Sequence, residues 1–72
     1  MIPPGSTIGI VGGGQLGRML SVAAAQLGYK CHIFDPHEHP PAADVAAFFT
    51  RADYGDMAAL REFAGKVDVA TY

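Results

Sequence analysis

Ile8-Gly9-Ile10-Val11-Gly12-Gly13-Gly14-Gln15-Leu16-Gly17-Arg18-Met19 is the stretch that decides the fold. An apolar run with β-branched residues meets three consecutive glycines, then opens directly into a helical pattern. Strand, tight turn and helix follow from that order. Gly12, Gly14 and Gly17 fit G-x-G-x-x-G, whose logic is mechanical. The first glycine permits the turn, the second lets a ligand approach bare backbone, and the third lets the helix pack against the strand. The first N–H groups of a helix have no partner within it and carry partial positive charge, so the turn is a ready site for an anion or a polar ligand. A tight turn without a ligand would use similar residues, but three glycines in a row at a helix start favour binding.

Upstream of this stretch, residues 1–6 hold two prolines and a glycine and read as a flexible lead-in to a domain over residues 7–72. Thr7–Val11 is apolar enough for a strand buried on both faces, as parallel strands are. Downstream, Leu16, Met19, Leu20, Ala23, Ala24 and Leu27 recur at helical spacing over residues 15–27, which predicts one helix face turned to a sheet. Gly28 suits a left-handed helix end. Tyr29–Phe34 is a second strand, ended by Asp35-Pro36 because proline restricts its predecessor to extended geometry. After a polar His37–Pro41 loop come a short helical turn over Ala42–Ala46 and a third strand over Ala47–Thr50. Asp53-Tyr54-Gly55 is turn chemistry, and Asp56 caps a helix over Met57–Ala64 whose apolar face is Met57, Leu60, Phe63 and Ala64. Gly65 closes that helix, and Val67–Tyr72 is a last strand.

Strands alternating with helices predict the α/β class, a Rossmann-like parallel sheet of about four strands with flanking helices and right-handed crossovers. In the doubly wound order the third strand lies outside the second and the fourth returns beside the first. The glycine turn then sits at the switch point, where such sheets bind ligands.

Composition narrows the classes further. At 72 residues the chain is one small domain, and 50% hydrophobic against 17% charged residues excludes a disordered tail. A net charge of −2 with five basic residues scattered singly leaves no footprint for nucleic acid. One cysteine excludes an intrachain disulfide and suits a reducing cytoplasm. Met1–Gly5 shows no signal-peptide pattern, and no apolar run approaches the ~18 residues of a membrane span.

Around the turn, Gln15 can give and take hydrogen bonds with a polar ligand, and Arg18 offers a fork to phosphate, although a solvated helix face explains Arg18 more simply. Asp35, at the end of the second strand, is placed to accept from a ribose 2′-OH or merely to end a strand before proline; position alone leaves both open. His37 and His39 flank Glu38 but lack the further ligands of a closed zinc site, so a solvated loop is the better reading. Cys31 reads as a buried, inert thiol. Asp53 and Asp56 are explained by turn and cap roles before any acid/base pairing. No nucleophile–base pair, Walker-type lysine or serine elbow occurs.

The stretch from Ile8 to Leu20 closely resembles the opening of the 5-(carboxyamino)imidazole ribonucleotide synthases, ATP-grasp enzymes of purine biosynthesis. Ala23–Gly28, Phe34-Asp35-Pro36, Ala52-Asp53-Tyr54 and Val67–Tyr72 extend the resemblance over nearly all of residues 6–72. It implies a pre-ATP-grasp domain, incomplete at its C-terminus, from a ligase that carboxylates aminoimidazole ribonucleotide with ATP and bicarbonate, by way of carboxyphosphate. It implies further that Gly13, Gly14, Gln15 and Leu16 bind the ribonucleotide, while ATP and Mg²⁺ sit in later domains. A cytoplasmic homodimer is expected of the whole enzyme, and no turnover of these residues alone. Two other classes stay open on the residues themselves. One is the start of an NAD- or FAD-dependent oxidoreductase, through the glycines and Asp35; the other is a noncatalytic α/β module.

Overall fold

The computed structural model describes residue 3 and residues 5–71; residues 1, 2 and 4 of the expected lead-in, and Tyr72 of the expected last strand, lie outside the described residues. The chain runs β1 (Thr7–Val11), α1 (Gln15–Gln26), β2 (Lys30–Asp35), a 3₁₀ turn (Pro41–Asp44), β3 (Phe48–Arg51), α2 (Met57–Gly65) and β4 (Val69–Thr71). The four strands form one sheet in the order β3-β2-β1-β4, and every pair is parallel. This is the expected doubly wound order, so the carboxyl end of β1 lies where the chain reverses its direction across the sheet.

Local chemistry sets the ends of the elements. Gly28, at φ 90°, terminates α1, and Tyr29 N–H returns to Ala24 O at 2.9 Å. The Asp56 side chain accepts from Ala59 N–H at 3.0 Å, the expected cap of α2. Asp35 joins β2 opposite Arg51 rather than following the strand. β4 is shorter than expected because Asp68 docks on the start of β1 instead. Its carboxylate accepts from Thr7 N–H at 2.7 Å, and its own N–H donates to Thr7 O at 2.8 Å.

Alternation along β2 divides the core between the two faces of the sheet. Cys31 and Ile33 join Ile10, Ala24 and Ala42 beneath α1 and the 3₁₀ turn. On the other face, Phe63 of α2 meets His32 edge-on at 4.9 Å and Phe34 at 5.2 Å between ring centroids. Gly9 makes room for it, since a Cβ there would lie 2.8 Å from the Phe63 ring. Burial, with the nearby Lys66 charge second, lowers the pKa of His32, whose Nε2 is 2.6 Å from Thr50 Oγ1.

The facing of α1 also departs from expectation. Of the six apolar residues expected to turn α1 toward the sheet, only Ala24 is buried; Leu16 and Leu27 are each 70% exposed and Met19 is 67% exposed. The buried line is Gly17, Ser21 and Ala24. Close approach decides this. A Cβ on Gly17 would lie 2.7 Å from Gly12 O, so the helix seats through its smallest residues and the leucines are left beside the contact. Leu20, Ala23 and Leu27 instead border an open apolar groove with Ile8, Ile10 and Thr71. α2 repeats the pattern in milder form: Phe63 is buried, whereas Met57 is 63% exposed.

Candidate functional site: the glycine turn

The turn from β1 into α1 begins at Gly12, whose φ of 113° suits glycine and almost no other residue. Gly12 N–H donates to Phe34 O at 2.8 Å, tying the turn to β2. Gly13 is buried, and both of its backbone groups are engaged. Its N–H donates to Asp35 Oδ2 at 2.7 Å, and its carbonyl accepts from Ala42 N–H at 2.9 Å. A Cβ on Gly13 would lie 2.7 Å from Pro40 Cβ and 3.0 Å from Ile33 Cγ2. Gly14 is the opposite case. It is exposed, it begins α1 without a side-chain cap, and a Cβ there would meet nothing within 4 Å. Gln15 and Leu16 follow it, both exposed, at the first turn of the helix.

Two clefts meet at Gly14. One, of about 220 Å³, opens toward β4 and is lined by Ile10, Val11, Gly12, Leu16, Leu20 and Thr71 among others. The second, of about 290 Å³, opens on the β2 side between Asp35, His37, His39, Pro40 and Pro41. Gly14, at the start of α1, thus borders both clefts, with the positive end of the helix dipole behind it.

Asp35 anchors the second side. It is 3% exposed. Oδ2 accepts from Gly13 N–H at 2.7 Å and from Tyr54 O–H at 3.2 Å. Oδ1 accepts from His37 N–H at 2.8 Å and lies 2.6 Å from His37 Nδ1. Against an ionised carboxylate that ring nitrogen carries the proton. Burial alone would push the Asp35 carboxyl up. The hydrogen bonds from His37 N–H, Gly13 N–H, the His37 ring and Tyr54 outweigh it and hold the pKa below the usual carboxylate range. With four donors on its two oxygens, Asp35 is committed to the protein rather than offered to a ribose hydroxyl. The dinucleotide reading leaned on that offer.

Among the other residues singled out by sequence, Arg18 is exposed at the first turn of α1. Cys31 is buried, and burial, only partly offset by a hydrogen bond with Ser21, raises its thiol pKa. Asp53 supplies a turn carbonyl to Asp56 N–H at 3.0 Å, and Asp56 caps α2. His37 and His39 reach the same cleft, but among the described residues no three His, Cys, Asp or Glu side chains are placed to share a metal ion. Sequence reasoning missed Tyr54 as a partner of Asp35, and Pro40 and Ala42 as the backing of Gly13. For Pro40 and Ala42 the signal was small or rigid residues in the loop after β2.

Residues 5–72 match the family described as the ribonucleotide synthetase preATP-grasp domain. The chain is 58% identical over 72 residues to the bifunctional purine synthesis protein purC/E of Dictyostelium discoideum, covering all of this chain and 7% of that protein. It is 55% identical over 71 residues to the N5-carboxyaminoimidazole ribonucleotide synthase of Brucella melitensis biotype 1, covering 99% of this chain and 20% of that protein. A crystal structure of an N5-carboxyaminoimidazole ribonucleotide synthetase in complex with ADP superimposes with a TM-score of 0.97 at 49% identity, over all of this chain and 19% of that one. The chain thus spans about a fifth of the length of the synthases it matches, at their glycine-turn layer. A parallel β3-β2-β1-β4 sheet, a clamped glycine turn and a match over residues 5–72 converge on one conclusion: the chain belongs to the ribonucleotide synthetase preATP-grasp domain family.

Proposed function

We propose that this chain is the pre-ATP-grasp layer of a ligase that carboxylates aminoimidazole ribonucleotide, and that Gly14, Gln15 and Leu16 contact the ribonucleotide while Gly13 holds the turn in place. The reaction joins the ribonucleotide amine to bicarbonate, with ATP converted to ADP and phosphate. In this reading ATP, Mg²⁺ and the bicarbonate-activating step belong to parts of the enzyme beyond these residues. This layer binds and orients; it does no covalent chemistry. The whole enzyme is read as a cytoplasmic homodimer. For its part, the chain has no helix among the described residues long and apolar enough to cross a membrane.

The observation that carries the proposal is Gly14, which is exposed at an uncapped helix start where two clefts meet. An oxidoreductase reading has neither support. Asp35 is saturated by protein donors, and the solved structures that superimpose on this sheet include a synthetase at 49% identity.

The test is steady-state kinetics of the full-length protein with Gly14→Ala and Gln15→Ala. An added methyl at Gly14 has room in the protein and intrudes only on a ligand. Loss of one hydrogen bond to a charged ligand is worth about 1.5–3 kcal/mol, so KM for the ribonucleotide should rise roughly tenfold or more. KM for ATP should stay within about twofold, a change worth only ~0.4 kcal/mol. Equal loss of both affinities, or an unchanged ribonucleotide KM, overturns the assignment.

A further inference from the structure

We infer that Asp35 is a positioning residue for the ribonucleotide. Through Gly13 N–H its buried carboxylate fixes the glycine turn, and so sets where the open amides at the start of α1 point. This rests on the reading of Gly14–Leu16 as the ribonucleotide contact.

Gly13 is the one residue between the glycine held by β2 and the glycine left open. Its carbonyl is held by the 3₁₀ turn, and its N–H is held by Asp35 alone. The peptide joining Gly12 to Gly13 carries that N–H, so the carboxylate sets the peptide's tilt, and the tilt sets the direction in which Gly14 enters the helix. Asp35 is itself gripped from three directions. Gly13 comes from the turn, His37 from the loop after β2, and Tyr54 from the turn before α2. The acid thereby couples the ligand-facing turn to the loop after β2 and to the turn before α2. Asp35 borders the β2-side cleft, but its oxygens are taken by four protein donors, so it acts through backbone placement rather than as an acceptor for the ligand. Pre-placed donors of this kind improve binding because no rearrangement has to accompany it.

The experiment uses the full-length protein with Asp35→Asn, Asp35→Ala and Tyr54→Phe, measured beside Gly14→Ala. Kinetic constants for the ribonucleotide and for ATP are read together with thermal melting. Asp35→Ala should raise the ribonucleotide KM by about tenfold or more and leave ATP KM within about twofold. Asp35→Asn keeps one acceptor oxygen and should recover part of the loss. Tyr54→Phe removes one donor from Oδ2 without changing volume and should raise the ribonucleotide KM by roughly threefold, so it decides the matter if Asp35→Ala does not fold. Asp35 variants that fold and keep the wild-type ribonucleotide KM overturn the role. So does a loss confined to kcat that tracks the folded fraction in the melts. If Gly14→Ala also leaves the ribonucleotide KM alone, the functional reading itself has failed; if Gly14→Ala raises it and the Asp35 variants do not, only the positioning role has.

Discussion

The two flanks of the glycine turn are built on opposite plans. Toward β2 the backbone is spoken for: Gly12 on Phe34, Gly13 on Asp35 and Ala42, with Pro40 packed against the Gly13 Cα. Toward β4 the lining is apolar and open, with Leu16 70% and Leu20 43% exposed above a strand of three exposed residues. A binding loop needs both. Held only loosely it would pay for its own ordering each time a ligand arrived, and closed on both sides it would admit none. Adjacent glycines therefore serve opposite ends, one filling space that nothing else fits and the next leaving space empty.

The sharpest way to break this contrast is to add one methyl on each side. Gly13→Ala drives a Cβ against Pro40 and Ile33 and should cost about 1–3 kcal/mol in denaturant melts. Gly14→Ala, whose lost cap preference is offset by a stiffer unfolded chain, should stay within about 0.5 kcal/mol. Equal effects at the two positions would erase the distinction between the flanks. Acid attacks the held flank selectively. Asp35 has a native pKa below its ordinary 3.8, so its share of stability is complete above that value and is lost as pH falls through the lowered one. Asp35→Asn should flatten the stability curve in that window, and a curve of unchanged slope would count against the clamp. A separate and earlier loss belongs to His32. Its buried ring has a lowered pKa, so the unfolded chain takes up the proton first as pH drops below 6.5, and His32→Gln should remove that slope. The smallest effect is expected on the open flank, where Leu16→Ser should move stability by no more than about 0.5 kcal/mol. A larger drop would mean that the exposed leucine is covered.

Much of the fold was legible because it depends on neighbours in the chain. Gly12, Gly28 and Asp56 announce a turn, a helix end and a cap through backbone geometry that a few residues determine. Strand order followed from the spacing of strands and helices, and the exposure of Gly14 from the glycine pattern. The clamp was not legible. Asp35 meets Gly13 from 22 residues away and Tyr54 from 19, and nothing in the pattern distinguishes a carboxylate offered to a ribose from one consumed by the protein. The orientation of α1 was misjudged for a related reason. Hydrophobic periodicity weighs Leu16, Met19 and Leu27 heavily, yet the helix seats on Gly17, Ser21 and Ala24, because closeness to Gly12 O rewards small size over greasiness. A stripe of leucines says that something apolar is near; it does not say that the nearest sheet is what it meets.

Gly17 lies so tightly on Gly12 O that no side chain fits between strand and helix there. In the proposed role the turn is an anvil and not a jaw: it offers a metabolite a surface already in its final shape.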